Sequence, residues 1–214
     1  MEIPFHIYLI GLSLTVSIAA RLLQGESSLY LRVFPYYLCI TLFIEILGVY
    51  RWWHRLSTTA LYNFFGLFEF TFYFFMLHEI IQSTKAKRIV KGVMLIYPIL
   101  FLLNVLFVQV NGFASITYVL GCLLVTCVCV FYFYELFQSD HPVVLIREPA
   151  FWFCTGLLFF YCCTFPYFAL ANFMIDFPEI IMNNIATLLN LMNSLLYSLF
   201  TIAFLCRIRI RKFM

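Results

Sequence analysis

Seven apolar runs of about 20 residues follow one another along this chain, and that arrangement constrains its fold more than any motif does. They cover Ile3 to Leu23, Leu31 to Tyr50, Thr58 to Gln82, Ile89 to Gln109, Ala114 to Phe137, Pro149 to Ala171 and Ile180 to Cys206. A helix of about 20 residues crosses the roughly 30 Å of bilayer hydrocarbon and satisfies its own backbone polar groups in lipid. Each run is too long and too continuously apolar for the alternating pattern of a barrel strand. Composition agrees: 64% of the 214 residues are hydrophobic and 11% charged, too few charges to cover a water-facing surface. The expected fold is all-α, a polytopic membrane protein with a single seven-transmembrane-helix bundle over residues 1–214. The connections run from a few to about a dozen residues, so a site has to lie within the bundle or at its rims.

Seven crossings place the two termini on opposite sides. With the C-terminus in the cytoplasm, eleven Lys and Arg residues fall inside and two, Arg51 and Arg55, fall outside. The positive-inside rule therefore predicts an N-out, C-in, multi-pass protein of the cell membrane, most simply a bacterial inner membrane. The opening "MEIPFHIY" has no cation before its apolar run, so the first span is expected to persist rather than to be cleaved as a signal peptide. In the tail "CRIRIRKFM", Arg207, Arg209, Arg211 and Lys212 are expected to contact anionic inner-leaflet lipid, with docking of a cytoplasmic partner as the alternative. In the loop "YRWWHRLS", Trp52 and Trp53 read as interfacial anchors.

Several chemistries lack their parts. Seven of the eight cysteines fall inside runs and Cys206 at the inner end of the last, without the spacing of a zinc site or a disulfide framework. His6, His54, His78 and His141 all fall near the ends of runs, which leaves no histidine at bundle depth for a Ser-His hydrolase or a multi-histidine metal centre. The last run has no lysine to carry a retinal Schiff base, and no Walker loop, dinucleotide fingerprint or nucleic-acid motif occurs. The expectation is a non-enzymatic protein without a cofactor or a nucleic-acid partner. The partners that remain are the bilayer, a small ligand and a cytoplasmic signalling protein.

What distinguishes the chain is its intramembrane polarity, because a polar side chain at that depth has to face protein. In the seventh run Asn183, Thr187, Asn190, Ser194, Tyr197 and Thr201 recur at helical spacing on one face, widened by Asn184, Asn193 and Ser198. That stripe is either interhelical hydrogen-bond glue or one wall of a polar cavity. In the third run Tyr62, Gly66, Glu69 and Tyr73 share a face, with Asn63 on its flank. Glu69 and Asn190 lie at matching depth in runs of the same direction, so side-by-side packing would let them hydrogen-bond. Glu45 shares a face of the second run with Tyr37, Thr41 and Gly48. Neither acid has a cation at its depth; the one Arg inside a run, Arg21, sits at an inner end below Ser13 and Ser17. Each carboxyl is therefore expected to be protonated, hydrogen-bonded or wetted. Pro98 and Pro166 are expected to kink the fourth and sixth spans.

The third-run pattern with Asn63 and Glu69, the stretch "PAFWFCTGLLFFY" that begins the sixth and the Asn-rich seventh resemble small, uncharacterised bacterial seven-helix membrane proteins, some encoded beside sensor kinases. The likeness spans most of the chain and implies sensing, with no catalytic residues to carry over. Two functions follow from the residues and the resemblance together. One is a receptor-like sensor with a polar intramembrane site around Glu69 and the seventh-helix stripe. The alternative is a small-molecule or proton-coupled transporter in which Glu69 is the protonatable group.

Overall fold

The structure, a computed structural model, describes residues 3–23, 28–110, 112–138, 144–170 and 179–210. Among them are seven long helices and no strand: α1 (Phe5–Leu23), α2 (Leu29–Trp53), α3 (Thr59–Ile80), α4 (Thr84–Leu103), α5 (Ser115–Gln138), α6 (Pro149–Leu170) and α7 (Glu179–Ile210). Each is long and apolar enough to cross a membrane. A π-helical turn, Asn104–Val108, follows α4, and a 3₁₀ turn, Leu145–Arg147, precedes α6.

The helices exceed the apolar runs wherever polar residues at a membrane edge still favour helix. The second extends through Arg51, Trp52 and Trp53, three residues assigned above to a loop. Its end is built by the turn rather than by hydropathy. Arg55 adopts a left-handed φ of 55°, and the N–H groups of His54, Arg55 and Leu56 bond back to the carbonyls of Tyr50, Trp52 and Arg51. The Arg51 guanidinium closes the turn at 2.8 Å from the Ser57 carbonyl. The fourth starts at Thr84, five residues before the apolar run at Ile89, because "TKAKR" is helical even though its charges depress hydropathy. Ser83 caps it by accepting from the Ala86 N–H, and Glu135 of α5 accepts from the N–H groups of Gln82 and Ser83 at 3.1 and 2.8 Å. Pro35, Pro98 and Pro166 lie inside α2, α4 and α6, which continue helically on both sides of them.

Sequential helices pack side by side, and α7 closes the ring by packing on both α6 and α1. The third helix is the centre, touching α2, α4 and α5. Its most apolar window is 56% buried, against 22% for α4 at the periphery. Small residues set the closest approaches. A Cβ at Gly121 would lie 2.8 Å from the Phe70 ring and 2.6 Å from the Tyr97 hydroxyl, and Gly48 leaves room for the Tyr62 hydroxyl.

In the half of the bundle that holds the start of α2 and the end of α7, the core is aromatic. Phe34 is fully buried, with ring centroids 5.4, 4.6, 5.1 and 5.3 Å from those of Phe72, Phe153, Phe200 and Phe204. Such ring pairs contribute about 0.5–1.5 kcal/mol each beyond the area they bury. The outer surface is apolar as well, with Phe64, Ile99 and Phe107 more than half exposed, which suits lipid rather than water.

Candidate functional site

The other half of the bundle, around the start of α1 and the 54–58 turn, is hollow. A cavity of about 500 Å³ reaches that end at Thr58 and Thr59 and descends to Glu69, drawing its walls from every helix except α4. That volume falls within the usual range for ligand pockets.

Glu69 forms part of the floor. It is 6% exposed, and its Oε1 accepts from the hydroxyls of Tyr37 at 3.3 Å and Tyr73 at 3.2 Å, which are themselves 2.6 Å apart. Two hydroxyl protons face three contacts, so all three are hydrogen bonds only when one hydroxyl turns to the other and a protonated Oε1 donates to one tyrosine while accepting from its partner. Both tyrosines converge on Oε1, and Oε2 has no hydrogen bond among the described residues. The triad is held from below. The Tyr37 ring stacks on Phe72 at 4.2 Å and 1°, and meets the Phe34 ring edge-on at 5.5 Å.

The second acid lies nearer the mouth. Glu45 faces His6, with Oε2 3.5 Å from Nε2, while His6 Nδ1 lies 2.8 Å from Asn190 Oδ1. With Nδ1 donating to the amide oxygen, Nε2 is the ring nitrogen left facing the Glu45 carboxyl. The Tyr62 hydroxyl interacts with the Glu45 carboxyl from above Gly48, one turn along α2. Another part of the wall is aromatic. Phe113, Tyr118 and Phe168 form one cluster, with centroids 5.2 Å apart for Phe113 and Tyr118, 4.2 Å for Tyr118 and Phe168, and 6.0 Å for Phe113 and Phe168.

The structure distributes the sequence candidates unevenly. Glu69, Glu45, Tyr62 and Tyr197 line the cavity, and Tyr73 supports its floor. Asn190 does not meet Glu69. Helix α7 packs on α1 and α6 rather than beside α3, so the expected hydrogen bond is replaced by the one to His6. From α7 it is Leu189, Asn193 and Tyr197 that line the cavity with Glu69. Ser194 and Thr201 donate to carbonyls of their own helix, those of Asn190 and Tyr197, and bond to no other helix among the described residues. Thr187 does the same to the Asn183 carbonyl, and both side chains are exposed. Thr187 and Asn190 line a groove between α1 and α7 that shares His6, Leu189 and Asn193 with the cavity. Asn63 lies outside the cavity wall and clamps the turn before α5, donating to the Gly112 carbonyl at 3.0 Å and accepting from the Ala114 N–H at 2.9 Å. Arg207 and Arg209 lie in helix but their side chains, like all of Arg211 and Lys212, lie outside the described residues.

His6 corrects one expectation. It lies at the start of α1, near the end of its run as expected, yet it is buried and supplies Glu45 with the cation-forming partner that the runs alone did not show. The signal was present in the sequence: His6, Ser13 and Ser17 recur at helical spacing on one face of α1, and all three are buried. The aromatic wall had no comparable signal, because Tyr118 and Phe168 stand among dozens of similar rings.

Comparison with protein-family models, with curated proteins and with solved structures returned no match to this chain.

Proposed function

We propose that this protein is a membrane-embedded, receptor-like sensor that takes a small ligand into the cavity above Glu69 and passes the event through the bundle to a cytoplasmic partner. One observation carries the reading. The cavity reaches one end of the bundle at Thr58 and Thr59, and its floor hangs on Tyr37, whose ring packs against the Phe34 cluster that fills the other end. A ligand that pulls on the Glu69 carboxyl changes the hydrogen bonds of Tyr37 and Tyr73, and with them the packing of Phe72 and Phe34. Packed ring cores have discrete arrangements, so two packings biased by a ligand form a switch. On the orientation favoured by the cation count, the mouth faces outward and the ring cluster faces the cytoplasm.

Transport by a Glu69 proton cycle is the competing reading. It needs a route past Phe34, Phe153, Phe200 and Phe204, which are between 0% and 2% exposed, whereas sensing leaves that cluster closed.

Reconstitution separates the two. Purified wild type, Glu69→Gln and Asn190→Leu are screened against a small-molecule library for thermal stabilisation and assayed for flux in proteoliposomes. The expected result is ligand stabilisation of the wild type that Glu69→Gln loses, with no flux in any form. Robust flux abolished by Glu69→Gln would replace the sensor by a carrier. Earlier melting of both variants with an unchanged ligand response would reduce the site to helix glue.

A further inference from the structure

We infer that the ligand is a small organic cation, an amine or quaternary ammonium, seated between the Glu69 carboxyl and the Phe113, Tyr118 and Phe168 rings. This deepens the sensor reading and rests on it for the cavity's being a ligand site.

The charge of the cavity is one-sided. Among the described residues that line it are two carboxyls and one imidazole, with no lysine or arginine. The imidazole is committed, since His6 faces Glu45 at 3.5 Å and Asn190 at 2.8 Å. Glu69 lines the cavity at 6% exposure, and among the described residues it has no cationic partner and its Oε2 has no hydrogen bond. A carboxyl so placed is costly unless something positive or a proton joins it. An ammonium ion beside Oε2 supplies the positive charge and lets the carboxyl release its proton to water, so the occupied floor carries no net charge.

The rings supply the second half of the recognition. The face of an aromatic ring attracts a cation through its quadrupole, most strongly where water is excluded, and several rings around one centre form a cage for an ammonium group. Phe113, Tyr118 and Phe168 are mutually packed, so their positions hold without a ligand. The Phe113 and Phe168 rings have no polar atom and no positive charge lines the cavity on that side, so an anionic ligand would have only the Tyr118 and Tyr167 hydroxyls there. A ligand that is cationic at one end and apolar around it matches both walls.

The test uses the purified full chain in lipid nanodiscs and calorimetric titration with two cations, choline and phenethylamine, each against its uncharged isostere, the tert-butyl analogue of choline and phenethyl alcohol. At least one cation is expected to bind more than tenfold tighter than its isostere. Glu69→Gln is expected to remove that preference without changing affinity for the isostere, and Tyr118→Leu to weaken the cation about tenfold. Tyr118→Phe, which keeps the ring face and protects against a trivial folding defect, is expected to restore binding. Isosteres that bind as well as the cations, or a preference that survives Glu69→Gln, would overturn the inference while leaving a ligand-binding cavity. Failure of all four probes while the library screen yields stabilising compounds would overturn the cation assignment alone, and failure of both would overturn the sensor reading with it.

Discussion

Glu69, Tyr37 and Tyr73 behave as one unit because each supplies a partner to the other two. Removing the Tyr73 hydroxyl leaves the buried Glu69 carboxyl with one hydroxyl donor, at a cost of about 1–3 kcal/mol. Once Glu69 is an amide, the same deletion removes a weaker bond, so the effects of Tyr73→Phe and Glu69→Gln should not add. A double-mutant cycle read by unfolding in mixed micelles is expected to give a coupling energy of about 0.5–3 kcal/mol. Additive losses would mean that the two residues stabilise the bundle independently. The face that brings Glu69, Tyr62 and Tyr73 to one side was legible, since helical periodicity alone puts them there. The partner of Asn190 was not. Equal depth in two helices says nothing about which helices are neighbours, and α7 adjoins α1 in the closed ring.

Helix boundaries depend on chemistry that hydropathy does not register. The fourth helix begins within a basic segment because Ser83 and a carboxylate from another helix satisfy N–H groups at its start. The contact between Glu135 and the turn at Gln82 and Ser83 crosses more than fifty residues of chain, with separations of 53 and 52, so no local pattern announces it. Glu135→Ala should free both N–H groups and fray the start of α4. We expect a loss of about 1–2 kcal/mol, together with faster amide exchange over residues 82–86 while the cavity end of α3 is unaffected. Exchange unchanged at those amides would show that Ser83 alone holds the turn. The apolar centres of the helices, by contrast, were read directly from the runs, because in lipid a long apolar segment has little alternative to a helix.

The closed ring of seven helices divides into a hollow half and a packed half, and the orientation predicted from charge puts the hollow half outward. The two arginines that this prediction puts outside both have local duties in the turn. Arg51 ties the turn to Ser57, and Arg55 occupies its left-handed position. A membrane-impermeant maleimide applied to intact cells should therefore label Ser57→Cys at the 54–58 turn and spare Ser83→Cys at the opposite end, against wild-type background. The reverse pattern would turn the protein over and give the cavity to the cytoplasm.

The uneven filling of the bundle also has an electrical consequence. Water filling the cavity would carry the potential of its own side down toward Glu69, whereas the packed ring cluster around Phe34 would insulate. Most of a membrane voltage would fall across that cluster, and the remainder across the path to the floor. Full passage of one elementary charge corresponds to about 2.3 kcal/mol per 100 mV, so a charged occupant of the floor would feel a fraction of that energy. Its occupancy would then follow membrane polarisation as well as concentration, with the Phe34 cluster acting as the dielectric of a small capacitor.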